Sequence, residues 1–287
     1  MEQKISPIIN PEELIALSQS SPIIIIDVSA GADAKTKYTQ QHLKGTLFAN
    51  LNTDLAHIMP DAANGGRHPL PGPDQFAAVL TRLGITPTTH VILYDDKNGS
   101  NAAARLWWML RSIGHKKVQV INGGLNAAIA AGFPVSSNEE QALITEPYGE
   151  VNWELPLSSI QEVENVAANS DFLIIDVRDK ERYNGEKEPI DLVAGHIPGA
   201  VNIPFAKNLD SKGFFLPPAE LKRLYEDAME HRTAENVIVH CGSGVTACHT
   251  LLAMDYAGML IPKLYVGSWS EWSRNNKPMA TLAKEQS

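Results

Sequence analysis

The sequence predicts an α/β protein built from two tandem copies of one plan, each an open, mostly parallel sheet flanked by helices. Two observations lead to this prediction. Short apolar runs alternate with longer amphipathic stretches, and four features of the first half recur in the same order in the second half. Strand-length runs that alternate with helical stretches are typical of parallel sheets, and features repeated at a nearly constant offset indicate a duplication.

The four repeated features are spaced by between 144 and 154 residues. The first pair consists of two apolar runs that end in Asp-Val, at Asp27 and at Asp176. The other three pairs are residues 42–46 and 196–200, residues 91–95 and 237–241, and residues 122–125 and 266–269. Chance would have to place all four pairs independently, so we infer a duplication.

Taken in chain order, the apolar runs predict strands and the longer stretches between them predict helices. Uninterrupted β-branched runs suit the strands of a parallel sheet, because such strands are buried on both faces. The predicted strands are residues 23–28, 91–94, 173–177 and 237–240. The predicted helices are residues 73–83, 101–113, 218–231 and 245–257.

The length of 287 residues corresponds to about two domains of roughly 150 residues each. We predict an N-terminal domain without a cysteine over residues 1–137 and a linker over residues 138–157. The C-terminal domain, over residues 158–287, then contains both cysteines and is predicted to be the catalytic one. The linker is placed where polar residues replace the apolar runs.

Composition excludes several classes of protein. The net charge of −9 argues against nucleic-acid binding and against a basic membrane-surface protein. No apolar run approaches the ~20 residues of a membrane span, and the first residues lack the pattern of a signal peptide. Two cysteines, Cys241 and Cys248, cannot form a disulfide framework for this chain, so we expect a cytoplasmic protein. Neither a metal-binding cluster nor a dinucleotide or phosphate-loop pattern is present, so we expect no metal and no cofactor.

The most informative stretch is the loop that begins at Cys241. A predicted strand ends there, and a loop containing Gly242 and Gly244 leads into a predicted helix. Backbone N–H groups of such a loop can point inward, and the helix N-terminus adds partial positive charge, so a thiolate would be stabilised. A buried core cysteine is the simpler alternative. The first copy has Asp95 at the equivalent position, however, which favours one reactive copy and one scaffold copy.

Four motifs together resemble the two-domain rhodanese-type sulfurtransferases over nearly the whole chain, and the 3-mercaptopyruvate sulfurtransferases most closely. The motifs are residues 176–178 (Asp-Val-Arg), 195–200 (Gly-His-Ile-Pro-Gly-Ala), the loop at Cys241, and 267–272 (Gly-Ser-Trp-Ser-Glu-Trp). The resemblance implies two rhodanese-like domains, with a scaffold domain first. It also implies that Cys241 cycles between a thiolate and a persulfide.

The resemblance further implies a proton relay that distinguishes mercaptopyruvate enzymes. Gly242 and Ser243 are neutral, whereas thiosulfate-preferring relatives usually carry basic residues after the cysteine. Ser243 matches the serine of the relay and His68 matches its histidine. Asp54 is our candidate for the aspartate of the relay, with Asn52 as the alternative at that place.

One residue that the resemblance implies for substrate binding is missing. Arg182 matches the first of two arginines that bind the carboxylate of mercaptopyruvate, but the second is absent from residues 188–191, Glu-Pro-Ile-Asp. A similar Glu-Pro-Ile-Asp occurs in thiosulfate-type relatives. We also expect the loop to bind the anionic sulfur through the backbone amides of Gly242, Gly244, Val245 and Thr246.

The sequence therefore predicts an enzyme that takes sulfur from a small anionic donor, favoured to be 3-mercaptopyruvate, and passes it to a thiol, thioredoxin or cyanide. Thiosulfate is the alternative donor. A cysteine phosphatase would need an arginine to close the loop, and there is none between Cys241 and Cys248. A non-catalytic binding module is a further alternative, against which the intact cysteine loop argues.

Overall fold

The structure is a computed structural model, and it describes residues 5–282. Two compact units are present. The first unit consists of the described residues up to Ala56 together with Pro71–Leu155 and Ser211–Phe215, and the second consists of His57–Leu70, Pro156–Asp210 and the described residues from Leu216 onward. Two short segments thus fold with the unit that the other half of the chain mainly forms.

The first unit contains a five-stranded parallel sheet and a short antiparallel pair. Its strands are β1 (Ile8–Ile9), β2 (Ile23–Asp27), β3 (His42–Leu43), β4 (Thr46–Phe48), β5 (His90–Tyr94), β6 (Val118–Ile121) and β7 (Val135–Ser136). The parallel sheet has the order β1-β6-β5-β2-β4, while β3 pairs with β7. The apolar run that predicted β2 is buried towards its carboxyl end, as a central strand requires.

Six helices accompany these strands. They are α1 (Pro11–Ser20), α2 (Ala34–Gln40), α3 (Leu51–Asp54), α4 (Pro73–Arg82), α5 (Ala102–Ser112) and α6 (Gly124–Ala130). The helix α4 begins at Pro73, since proline is favoured in the first helical turn. Nearly every residue of α5 is buried, including Trp107 and Trp108. The predicted helices over residues 73–83 and 101–113 are confirmed within two residues at each end.

The second unit repeats the sheet of the first. Its strands are β8 (Leu157–Ser158), β9 (Leu173–Asp176), β10 (Val201–Asn202), β11 (Val237–His240) and β12 (Lys263–Tyr265). All pairs are parallel, and the order β8-β12-β11-β9-β10 reproduces that of the first sheet strand for strand. The prediction of two similar α/β halves is confirmed.

The helices of the second unit include the two that matter for the loop at Cys241. They are α7 (Ile160–Val166), α8 (Lys180–Asn184), α9 (Pro218–Met229), α10 (Ala247–Tyr256) and α11 (Ser268–Trp272), with 3₁₀ turns at Phe205–Asn208 and Ala234–Asn236. Residues 247–255 of α10 are buried. This burial includes Cys248, whose Sγ donates to the carbonyl of Gly244 at 3.3 Å.

The carboxyl ends of two neighbouring strands position the chemistry of the second unit. The strands β9 and β11 are adjacent, with Asp176 in register with His240. Cys241 directly follows His240, so it emerges at the edge of the sheet where α/β proteins bind ligands. In the first unit Asp95 follows β5 in the same way.

The segment between the two repeats has no helix or strand over residues 137–156. Its described residues up to Leu155 fold with the first unit. Trp153 lies 5.3 Å from Phe76 of α4, measured between ring centroids. Between residues 5 and 282, no helix has both the length and the apolarity that a membrane span needs.

Candidate active site

Residues 241–246, here called the cysteine loop, connect β11 to α10. Cys241 is 3% exposed and Ser243 is 6% exposed, so the loop is a nearly enclosed site. Gly244 has a φ of +71°, and a Cβ there would lie 2.5 Å from the carbonyl oxygen of Val266. Both the left-handed backbone and the close approach therefore require glycine at this position.

The short helix α11 fixes the backbone of the cysteine loop. The N–H of Trp269 donates to the carbonyl of Cys241 at 3.0 Å, and the N–H of Ser270 donates to the carbonyl of Gly242 at 2.9 Å. The N–H of Cys241 in turn donates to the Oγ of Ser268 at 3.2 Å. Two carbonyls of the loop are thus held by α11, which keeps them from facing a bound anion.

Ser268 holds this arrangement in an unusual backbone conformation. It is fully buried and has a φ of +54°, which is costly for a residue with a Cβ. Its Oγ accepts from Cys241 and donates to the carbonyl of Tyr265 at 2.8 Å. Backbone strain of this kind persists where surrounding contacts determine it, and it is common at functional sites.

Four N–H groups of the cysteine loop are available to an anion. Within the described part of the chain, no residue accepts a hydrogen bond from the N–H groups of Gly242, Ser243, Val245 or Thr246. These groups precede the N-terminus of the ten-residue helix α10. Such an array can hold a thiolate or a persulfide anion.

The first unit shows the same kind of loop with its anion built in. The carboxylate of Asp95 accepts from the N–H groups of Lys97, Gly99, Asn101 and Ala103 at 2.8–3.2 Å. Asp95 is fully buried, and burial raises its pKa to about 6 although these hydrogen bonds lower it. A protein carboxylate thus occupies the place that the sulfur would take in a reactive copy, as expected of a scaffold domain.

The predicted residues Ser243 and His68 are in direct contact. The distance between His68 Nδ1 and Ser243 Oγ is 2.8 Å. This contact lies within the second unit, because the segment 57–70 folds with it. The N–H of Arg67 donates to the Oγ of Ser270 at 3.0 Å. Gly66 has a φ of +83° and no room for a Cβ, which would lie 2.4 Å from the carbonyl oxygen of Gly267.

Asp54 and Asn52, the candidates for a partner of His68, both lie on the short helix α3 of the first unit. The carboxylate of Asp54 accepts from the N–H of Asn50 at 2.8 Å and pairs with Arg82 at 2.7 Å. The side chain of Asn52 is exposed. A role for either residue in the relay stays a prediction.

Three arginines converge on one buried carboxylate, that of Asp191. Its Oδ1 lies 3.0 Å from Arg67 Nε and 3.3 Å from Arg274 Nη1, and its Oδ2 lies 3.2 Å from Arg182 Nη2. The side chain of Asp191 has no solvent exposure, whereas the arginines are 12–27% exposed. The guanidinium groups therefore surround the carboxylate and reach towards solvent.

The position of Gly242 shows how near this group is to the cysteine loop. A Cβ on Gly242 would lie 3.0 Å from Arg67 Nη2, 3.3 Å from Arg182 Nη2 and 3.5 Å from Asp191 Oδ2. Arg182 thus lies against the loop, and its role in binding the donor carboxylate stays a prediction. Arg67 was missed, because a second arginine was sought only at residues 188–191. The signal for it was its place directly before His68.

A second set of ion pairs, centred on Glu188, holds Arg182 in place. Glu188 lies 2.8 Å from Arg182 and 3.3 Å from Arg178, which in turn pairs with Asp176 at 2.6 Å. Burial raises the pKa of Glu188, but hydrogen bonds from Arg182 and from backbone N–H groups outweigh it, so the pKa lies below its usual range. Glu188 is therefore ionised and fixes the guanidinium of Arg182.

His240 lies behind the cysteine loop. It is fully buried, its Nδ1 is 3.1 Å from the carbonyl of Cys241, and its Nε2 is 3.8 Å from Asp176. Burial lowers the pKa of His240, so the ring is neutral and donates to the Cys241 carbonyl. The ring thus supports the backbone of the nucleophile.

The site combines a cysteine in an anion-binding loop, a hydroxyl–imidazole pair and two guanidinium groups. The cysteine can attack a sulfur atom, and the amides can stabilise the charged product. The hydroxyl–imidazole pair can deliver a proton. The guanidinium groups can bind a carboxylate.

Comparison with known proteins agrees with this chemistry. Residues 10–131 and 159–275 each match the rhodanese-like domain. A probable 3-mercaptopyruvate sulfurtransferase of Pseudomonas aeruginosa is 39% identical over 246 residues, which cover 85% of this chain and 86% of that protein. A thiosulfate sulfurtransferase of Rattus norvegicus is 33% identical over 258 residues, covering 88% and 84%.

A solved structure has the same fold over nearly the whole chain. The 3-mercaptopyruvate sulfurtransferase from Leishmania major superimposes with a TM-score of 0.83 at 28% identity. The superposition covers 96% of this chain and 76% of that one.

Proposed function

The chain belongs to the rhodanese family and is a sulfurtransferase, and from this premise we propose that it takes sulfur from 3-mercaptopyruvate through Cys241. The single observation that carries the choice of donor is the hydrogen bond between His68 and Ser243 beside the cysteine loop. Mercaptopyruvate leaves a carbanion-like enolate that must gain a proton, whereas thiosulfate leaves sulfite. A built-in proton donor is useful only for the first.

In the first half-reaction the thiolate of Cys241 attacks the sulfur of 3-mercaptopyruvate. A sulfur–sulfur bond forms while the carbon–sulfur bond of the donor breaks, and its electron pair passes to the carbon as an enolate. One proton from the relay then converts the enolate to pyruvate, and the thiol proton of the donor, lost as the persulfide ionises, restores the proton to the relay. In this proposal the N–H groups of Gly242, Gly244, Val245 and Thr246, in the loop that follows Cys241, stabilise the persulfide.

Ser243 and His68 supply the proton in this proposal. The hydroxyl of Ser243 lies at hydrogen-bond distance from the imidazole, so a proton can pass from the ring through the hydroxyl to the product carbon. Ser243 follows Cys241 by two residues in the same loop, which supports a role for its hydroxyl near the reacting sulfur. Asp54 or Asn52 would orient His68 as the third member of the relay.

Arg182 and Arg67 bind the donor carboxylate in this proposal. Their Nη2 atoms lie 3.3 and 3.0 Å from the Cβ position of Gly242, next to the nucleophile. A guanidinium group matches a carboxylate geometrically and electrostatically. Arg67 therefore takes the role that the sequence analysis assigned to an arginine near residues 188–191.

The second half-reaction returns Cys241 to the thiolate. An acceptor attacks the outer sulfur of the persulfide, the sulfur–sulfur bond breaks, and its electron pair stays on Cys241. A small thiol, thioredoxin or cyanide can each act as the acceptor, because the chemistry requires only a nucleophile. Both cysteines of the chain are free thiols, so we place this cycle in a reducing cytoplasm.

Thiosulfate is the second candidate donor, and two observations favour it. Ile190 stands where mercaptopyruvate enzymes are expected to carry an arginine, and a curated thiosulfate sulfurtransferase is 33% identical to this chain. The arginines over the cysteine loop could also hold a sulfonate-like group. Donor preference is therefore the quantity to measure.

The decisive experiment is steady-state sulfur transfer to cyanide, with 3-mercaptopyruvate and thiosulfate compared in parallel. We expect kcat/KM to be at least tenfold higher for mercaptopyruvate, which is about 1.4 kcal/mol of transition-state preference. Preference for thiosulfate would overturn the choice of donor. The Cys241→Ser variant is the control, and full transfer by it would overturn the role of Cys241.

A further inference from the structure

Asp191 is a carboxylate of the protein placed where the donor carboxylate is expected to bind. It accepts hydrogen bonds from Arg67, Arg182 and Arg274, and its side chain is fully buried. Its Oδ2 lies 3.5 Å from the Cβ position of Gly242, so it faces the cysteine loop itself. The two arginines assigned to the donor are thus already partly neutralised.

The ion pairs around Asp191 form one connected cluster with a small net charge. It contains four guanidinium groups and three carboxylates, which leaves one positive charge: Arg67, Arg178, Arg182, Arg274, Asp176, Glu188 and Asp191. A donor with one negative charge would neutralise this cluster. A donor with two negative charges would leave an excess negative charge in a partly buried site.

We propose that Asp191 is a specificity-determining residue that lowers activity with doubly charged donors relative to singly charged ones by neutralising part of the arginine cluster. Removal of its charge raises the net charge of the cluster from one to two. The added attraction acts on both charges of a dianion but on only one charge of a monoanion. Removal of the Asp191 charge must therefore raise kcat/KM for thiosulfate relative to kcat/KM for mercaptopyruvate.

This inference rests on the proposed function in one respect, namely that the donor binds at the arginines beside the cysteine loop. The preference of the wild-type enzyme tests the proposed function. The change in preference caused by a variant tests the role of Asp191, whichever donor the wild type prefers. The two proposals can therefore fail separately.

The test is the pair of variants Asp191→Asn and Arg274→Gln, each assayed with both donors and cyanide as acceptor. For Asp191→Asn we expect the ratio of kcat/KM for thiosulfate to kcat/KM for mercaptopyruvate to rise at least fivefold. Arg274 contacts Asp191 and the carbonyl of Ser270, and its loss lowers the cluster charge. We therefore expect Arg274→Gln to lower the same ratio.

We use the ratio because a variant that folds poorly lowers the apparent kcat/KM for both donors by the same factor, and this factor cancels in the ratio. Glu162→Gln is the matched control, since it also removes one negative charge and one ion pair, that with Lys263 at 2.6 Å. We expect it to leave the ratio within twofold of the wild type. An unchanged ratio in Asp191→Asn, or a shift in the same direction in both test variants, would overturn the proposal.

Ionic strength gives a second measurement, independent of the ratio at one salt concentration. Salt screens the attraction between the cluster and a dianion more than that for a monoanion. We expect kcat/KM for thiosulfate to fall more steeply with salt in Asp191→Asn than in the wild type. Equal slopes would contradict a charge-based role for Asp191.

Discussion

A hydroxyl in contact with an imidazole, as in Ser243 and His68, can move a proton without a further ionised group at the reacting carbon. The contact is 2.8 Å long and partly buried, so solvent competes little for it. Ser243 is two residues after Cys241 in the chain, and the side chain of Cys241 is itself nearly enclosed. At this scale the proposal for the donor depends on one distance, and single substitutions can test it.

The first prediction concerns this pair. Ser243→Ala and His68→Gln should each lower kcat with 3-mercaptopyruvate by about a hundredfold, within the usual range for general acid catalysis. Activity with thiosulfate should fall far less, because sulfite leaves without protonation at carbon. Parallel kinetic assays with both donors provide the measurement. Equal losses with the two donors would contradict the role in proton transfer.

The second prediction concerns Ser268, which holds the N–H of Cys241. Ser268→Ala removes the Oγ and keeps the strained φ of +54°, whereas Ser268→Gly removes the Oγ and the strain. Both variants should lower kcat and the alkylation rate of Cys241 by about tenfold, the effect of roughly 1.4 kcal/mol. Because glycine adopts a positive φ without strain, the free energy of unfolding in urea should be about 1 kcal/mol higher for Ser268→Gly than for Ser268→Ala.

Asn276→Ala is the control for Ser268, because Asn276 also has a left-handed φ, +51°, but is exposed. It should leave alkylation of Cys241 unchanged. If Ser268→Ala reacted as fast as the wild type, the hydrogen bond to Cys241 would have no part in holding the nucleophile.

At the scale of elements, the sequence allowed the strands and main helices to be predicted because each is marked locally. The run 237–240, Val-Ile-Val-His, was predicted as a strand and has the same bounds as β11, and Pro73 and Pro218 mark the starts of α4 and α9. The helix predicted over residues 245–257 is two residues longer at its start than α10. The difference arises because Val245 and Thr246 belong to the anion-binding turn.

The parts of the site that could not be predicted depend on contacts between distant residues. Local pattern does not show that residues 57–70 fold with the second unit, since Gly- and Pro-rich loops lack periodicity. Arg67 was therefore overlooked although His68 was found by resemblance. Asp191 was noticed only as a position without an arginine, because its three arginine partners come from separate segments.

The third prediction tests the anion-holding loop of the first unit. Asp95→Ala leaves four backbone N–H groups without an acceptor, so it should destabilise the protein by about 3 kcal/mol or more. Asp96→Ala, which removes only a partly exposed ion pair with Lys37, should cost less than about 1 kcal/mol. Urea unfolding provides both values. Equal stability of the two variants would contradict the account of the loop.

At the scale of the whole molecule, three buried groups of the second unit, His240, His249 and Asp176, have shifted pKa values that all make acid destabilising. Burial lowers the pKa of His240 and lowers that of His249 to about 3. Burial raises the pKa of Asp176, but the charge of Arg178 and the hydrogen bonds from Arg178, with the other groups around it, together outweigh burial, so the pKa is lowered. All three groups bind protons more readily when unfolded, so acid destabilises this unit.

The first unit contains groups of opposite effect. Burial raises the pKa of Asp27 and of Asp95, so these carboxyls bind protons more readily in the folded state than in the unfolded state. Through these two groups, acid stabilises the folded state of the first unit. Burial lowers the pKa of His90 and of His115, which acts in the other direction. The effects oppose one another, so the first unit should depend less on pH than the second.

The last prediction is that the second unit loses stability first as the pH falls from 7 to 5. His249 has a folded pKa of about 3 against about 6.5 when unfolded, so its contribution is complete above pH 6.5 and is lost as the pH falls below it. The loss from His249 alone is about 2 kcal/mol at pH 5. Native-state hydrogen exchange, corrected for intrinsic rates, can follow β11 and β5 separately. His249→Phe should reduce the pH dependence of β11 by about that amount, and an unchanged dependence would contradict this assignment.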